Sequence, residues 1–171
     1  LQPSVDNVQT DKGLEHLEHL LQRGPISQIE MFDVSHISGT FSVGAMVVYK
    51  ENRFDKNQYR KYKLHHENDD VASLSEMVYR RAVRSLKENQ PMSDVLVVDG
   101  GISQVNAISK VLHSLQITTP LIGLSKDAHH KTSLLVLEDG SSIRLLVDDP
   151  LYQLLYKIQE EVHRFAINYH R

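Results

Sequence analysis

The sequence contains no cysteine and no tryptophan. The lack of thiols excludes a disulfide framework and a thiolate metal site, and it fits a reducing compartment. The fold therefore has to stand on packing alone. No apolar run approaches the roughly 18 residues of a membrane helix, and the N-terminus lacks the basic and apolar segments of a signal peptide. The chain accordingly reads as soluble and cytoplasmic, with no membrane partner. An excess of positive charge is missing too: 19 Lys and Arg against 22 Asp and Glu leave a formal net charge of −3. Any case for a nucleic-acid partner must then rest on local charge. Two local concentrations exist, Arg53, Lys56, Arg60, Lys61 and Lys63 in one stretch and Arg80, Arg81, Arg84 and Lys87 in another. Taken singly, each reads as the solvated face of an element.

What is present is enough for one domain with a full core: 171 residues, 40% of them hydrophobic. The first residue is Leu1, so the chain is expected to be a piece of something longer. The domain is placed at residues 14–171, after an N-terminal arm or linker over 1–13, whose first nine residues are polar and aperiodic. Leu14, Leu17, Leu20 and Leu21 share one helical face, with Thr10 or Asp11 as candidate N-cap and Gly24 and Pro25 beyond its end. Strands are expected over 26–36, 41–50 and 58–64, joined by short links that suggest an antiparallel meander. Asp69 or Asp70 can cap a helix running to about Glu88. The run "DVLVVDGG" reads as a buried strand ending at Asp99. A helix over about 103–114, a strand "PLIGLS", a hairpin turning at Asp139 and Gly140, and a last helix capped by Asp149 complete the order. Strands alternating with helices after a meander argue for an α/β fold, a mixed sheet with helices packed on it.

Three polar groups sit where a purely structural role is least comfortable. Asp33 lies inside the apolar first strand, Asp99 ends the central one, and His163 stands beside the apolar stripe of the last helix. A carboxylate next to buried surface costs several kcal/mol unless a cation or hydrogen bonds compensate it. Asp99 before Gly-Gly also suits a plain turn, and a helical His is often only a surface group. Asp33 is harder to dismiss, because strands disfavour Asp and nothing nearby in sequence pairs with it. Two carboxylates plus one imidazole suit a hard divalent cation, Mg²⁺ or Mn²⁺. The remaining histidines, including the His65-His66 and His129-His130 pairs, read as surface groups.

The segments "IEMFDVSH", "NDDVASLSEMVYRR", "VLVVDGGISQVNA", "PLIGLSKDAHHKT" and "EEVHRFAINYHR", in this order and spacing, resemble the C-terminal endonuclease domain of UvrC, a nuclease subunit of bacterial nucleotide excision repair. The resemblance covers nearly everything from Leu14 to Arg171. It implies an RNase H-like fold and a metal-dependent hydrolysis of a phosphodiester on the 5′ side of a lesion. By motif, the family's Asp, Asp and His fall on Asp33, Asp99 and His163, and the second acid of its DD motif on Asp70. It further implies damaged double-stranded DNA and the UvrB-DNA complex as partners. The family often has Lys-Gly after DGG where this chain has Ile102 and Ser103. A phosphate contact would then come from Lys126 or Arg164, with Arg80 and Arg84 as further DNA-binding candidates. An endonuclease V-type nuclease and a catalytically silent nucleic-acid-binding domain are the competing readings.

Overall fold

The computed structural model describes residues 5–37, 41–66, 68–126 and 133–168. His129-His130 and the end of the last motif, Tyr169 to Arg171, lie outside the described residues. The elements are α1 (Val5–Leu21), β1 (Gln28–Ile37), β2 (Phe41–Lys50), β3 (Arg53–Phe54), β4 (Arg60–Leu64), α2 (Asp70–Glu88), β5 (Val95–Asp99), α3 (Ile102–Ser114), β6 (Leu121–Lys126), β7 (Ser133–Leu137), β8 (Ser142–Leu145) and α4 (Pro150–Ile167).

All eight strands join one sheet in the order β3-β2-β1-β5-β6-β7-β8, with β4 sharing the outer side of β2 with β3. The pairs β1·β5 and β5·β6 are parallel, and the others are antiparallel. Helices cover both faces. Ile29, Met31, Val95 and Val97 point to the side of α1 and α4, against Leu154, Ile158 and Val162. Phe32, Met46, Leu96 and Val98 point to the side of α2 and α3, against Leu74, Met77, Val105 and Ile108. Burial on both faces explains why β2 and β5 read as continuous apolar runs.

Three expectations change. The arm placed over 1–13 is helical from Val5, and Thr10 within it is buried. Short polar residues gain intrahelical hydrogen bonds cheaply once the Leu14–Leu21 face has nucleated the helix. The third strand begins at Arg60, because Lys56–Gln58 form a 3₁₀ turn after the two-residue β3. Arg81, grouped by sequence with a solvated face, is only 7% exposed. Its Nε donates to Glu30 Oε1 at 2.6 Å, and Glu30 is fully buried on β1, where its other oxygen accepts from Ser93 N at 3.1 Å.

One glycine bears directly on the strand ends that form the site. A Cβ at Gly123 would lie 2.6 Å from the carbonyl oxygen of Gly100, so β6 can pass beside the turn after β5 only with no side chain there.

Candidate active site

Alternation along β1 puts Asp33 on the α4 side of the sheet, two residues beyond Met31. Asp99, the last residue of β5, follows Val95 and Val97 on that same side. The strands run parallel with Phe32 opposite Val98, and one further step in register sets Asp33 beside Asp99. Their carboxylates therefore emerge together where β5 ends, beside the middle of the longer β1. From above, α4 lays Val162 into the core and turns His163 to the margin of its buried stripe.

The three groups converge. His163 Nε2 stands 3.1 Å from Asp33 Oδ2 and 3.3 Å from Asp99 Oδ2, and one ligand atom from each residue lies within 4.8 Å of the others. Asp33 is the most enclosed of the three side chains, 14% exposed, against 32% for Asp99 and 42% for His163. The hydrogen bond to Asp33 first, and that to Asp99 second, raise the His163 pKa to about 10, against partial burial that pulls it down. An imidazolium thus bridges two carboxylates where a divalent cation would do the same work.

A cleft of about 280 Å³ opens beside this cluster, lined by Asp33, Val34, Asp70, Leu74, Asp99 and Gln104. The N-termini of α2 and α3 both border it, so their dipoles favour an anion there. Asp70 is the first residue of α2, behind the N-cap Asp69. It shares the cleft yet stands outside the three-group cluster, and its carboxylate bonds His36 Nε2. The other ring nitrogen of His36 meets Ser42 Oγ at 2.9 Å. His36 therefore holds Asp70 in place rather than standing alone on the surface; the alternation "DVSH", which turns His36 to the α2 side, was the one available hint.

The basic candidates separate. Arg164 is half exposed and held by Glu161, with Nε to Oε1 at 2.7 Å and Nη2 to Oε2 at 3.0 Å. Tyr59 OH donates to the same Oε2 at 2.6 Å. Lys126 ends β6, exposed, and because Leu124 pairs with Asp99 it lies on the same face and at the same end of the sheet as the acids. Arg80 sits across the sheet on α2, where it bonds Glu76 and the Lys63 carbonyl, each at 3.1 Å, and covers the Tyr62 ring. Arg84 is half-buried on the same helix, near the Tyr62 hydroxyl. Arg80 and Arg84 thus stand apart from the cluster.

Residues 18–167 match the family described as the UvrC RNAse H endonuclease domain. The chain is 46% identical over 151 residues to UvrABC system protein C of Latilactobacillus sakei, covering 84% of this chain and 25% of that protein. It is 44% identical over 155 residues to its counterpart from Finegoldia magna, covering 86% and 25%, and 40% identical over 174 residues to that of Bacteroides fragilis, covering 100% and 28%. The chain thus spans about a quarter of the length of these relatives. Among solved structures, human ENDOV superposes with a TM-score of 0.50 at 15% identity, covering 80% of this chain and 74% of that one. That likeness concerns the fold, an RNase H-like mixed sheet flanked by helices.

Proposed function

From the premise that this chain belongs to the UvrC RNase H endonuclease domain family, a family of phosphodiester-cleaving nucleases, we propose that it makes the 5′ incision at damaged double-stranded DNA in bacterial nucleotide excision repair, in the cytoplasm, with a divalent cation held by Asp33, Asp99 and His163. The observation that carries this reading is the meeting of those three side chains within 4.8 Å where β5 ends beside β1. The donor set fits Mg²⁺ or Mn²⁺: two carboxylate oxygens and one imidazole nitrogen, in a place already built to share a positive charge. When bound, such an ion lowers the pKa of water and offsets charge on the phosphoryl oxygens and leaving group.

The chain's own residues have separable roles. Asp33 and Asp99 supply the charge, and the sheet fixes their spacing, since Asp33 stands within β1 and Asp99 ends the neighbouring β5 of the same parallel ladder. Val34 N–H, 2.9 Å from Asp33 Oδ1, occupies one oxygen of that carboxylate and leaves Oδ2 turned toward His163. His163 gives up its bridging proton to become a ligand. Asp70, steadied by His36, faces the cleft and supports the site from the α2 side. The paired helix N-termini favour a phosphate over the cleft. Lys126 and Arg164 flank it on the α4 face, and Arg80 and Arg84 supply charge farther along the duplex. The UvrB-DNA complex is the partner that brings damaged DNA to the domain.

A catalytically silent nucleic-acid-binding domain would not need the three groups together. The test is nicking of supercoiled plasmid by this chain with Mg²⁺ and with Mn²⁺, beside Asp33→Asn. Metal-dependent nicking lost in the variant supports the assignment; equal nicking by both proteins, or none by wild type with either ion, overturns it.

A further inference from the structure

Across the sheet from the acids runs a row of residues on one level and one face. Asp33 pairs with Ala45 on β2, and Ala45 pairs with Lys61 on β4. Paired residues point to the same side of a sheet, so Lys61 shares the α4 face with Asp33, and between them stands only the methyl of a fully buried alanine. At about 4.8 Å per strand, the Lys61 backbone is about 10 Å from that of Asp33. The Lys61 ammonium lies 4.6 Å from the centroid of the Phe165 ring, two residues after His163 on α4. Tyr59, two residues back on the approach to β4, packs edge-on against that ring with centroids 5.0 Å apart.

Beside this stands Arg164. Both of its bonds to Glu161 use one edge of the guanidinium, and Glu161, only 10% exposed, is itself held by Tyr59. The guanidinium is thereby fixed in orientation while half of the side chain faces solvent. Burial first, and the charge of Arg164 second, pull the Lys61 ammonium below its usual range, so the two cations stand close enough to feel each other. Two like charges gathered by a buried aromatic and acidic scaffold, one alanine away from the acids, make a concentrated target for a polyanion.

We propose that Lys61 and Arg164 form a phosphate-binding pair for the DNA strand being cut, with Glu161 and Tyr59 as positioning residues for the guanidinium. The proposal rests on the reading that the acids address a DNA phosphodiester. The advance of about 3.4 Å per nucleotide is measured along the helix axis and successive phosphates of a strand stand about twice that far apart, so a site about 10 Å from Asp33 engages a phosphate one or two nucleotides from the one at the acids. The strand then crosses the C-terminal end of α4 toward the β4 edge. This also accounts for how a domain of net charge −3 holds DNA: the positive charge is gathered at the place of use.

The experiment measures binding of this chain to a fluorescent DNA duplex by anisotropy over a series of NaCl concentrations, beside Mn²⁺ binding by calorimetry. Lys61→Met keeps the aliphatic stem over Phe165 and removes the charge; Lys61→Arg keeps the charge; Arg164→Gln removes the second cation. Each charge-removing variant is expected to lower the slope of log K against log[salt] by about 0.9, and the double variant by about twice that, with Lys61→Arg close to wild type. Mn²⁺ affinity stays within about twofold, since neither residue touches the cation's ligands. Unchanged slopes in both single variants, or no measurable binding by wild type, overturn the pair. Lowered slopes in the variants, beside a wild-type chain that binds Mn²⁺ but nicks no DNA, leave the pair standing and remove the nuclease reading instead.

Discussion

Binding of a divalent cation should cost the site one proton, and that proton should come from His163. Neutral imidazole is the form that coordinates metal, whereas the Asp33 and Asp99 hydrogen bonds hold the ring protonated up to about pH 10. At about pH 7.5 only about 0.3% of the rings are neutral, so apparent Mn²⁺ affinity lies about 300-fold below its limiting value and rises about tenfold per pH unit. An unperturbed imidazole, titrating near 6.5, would show almost none of this dependence at that pH. The measurement is calorimetry of Mn²⁺ binding in two buffers of different ionisation enthalpy, which counts protons released. We expect about one for wild type and about none for His163→Ala. Equal proton counts in the two proteins, or a wild-type affinity that is flat between about pH 7 and 9, would refute the reasoning. Stability of the metal-free chain runs the opposite way with pH: the clamp contributes fully below about pH 6.5 and is lost as pH rises through about 10.

Asp33→Asn should abolish Mn²⁺ binding and nicking and, by removing the stronger hydrogen bond to the His163 imidazolium, lower the metal-free melting temperature at neutral pH while the domain stays folded, read from thermal melts followed by circular dichroism. Arg81→Met leaves the Glu30 carboxylate buried with Ser93 N–H as its remaining partner among the described residues, and should cost about 3–5 kcal/mol. That is a drop of about 10 °C or more in melting temperature for a domain of this size. Glu30→Leu with Arg81→Met together should recover most of the loss, and a single variant melting like wild type would show the pair to be unimportant. Gly123→Ala should push the Gly100 turn outward, lower stability by about 1–3 kcal/mol and weaken Mn²⁺ binding, because Asp99 immediately precedes that turn.

The elements were largely legible because apolar periodicity and punctuation agreed. "DVLVVDGG" is a buried strand ending at Asp99, and Asp69 and Asp149 cap the helices they precede. The three converging residues were legible for a different reason: each contradicted its local setting, and the family resemblance placed its motifs on the same positions. What escaped was long-range and invisible to local pattern. Arg81 stands in a run of cations on an amphipathic helix, and only the buried Glu30, 51 residues away, draws it inward. Glu161 stands in the acidic pair that opens "EEVHRFAINYHR", and nothing local shows that Tyr59, 102 residues away, and Arg164 claim it. Lys61 belonged to a charged stretch with no hint that strand register would set it level with Asp33. Polar partners distant in sequence leave no periodicity to read.

His163 reaches the acids from α4, 64 positions after Asp99 in the sequence. Asp33 and Asp99 meet as soon as β1 and β5 pair, yet the third group arrives only when α4 seats Leu154, Ile158 and Val162 on the far side of the sheet. Folding and arming are therefore one event. A chain still lacking its docked α4 exposes the part of the sheet that α4 covers and carries two mutually repelling carboxylates without the imidazole between them. On the proposed reading this orders events in time: a partly unfolded copy lacks the third group, and the contact that completes the core is the same one that completes the site.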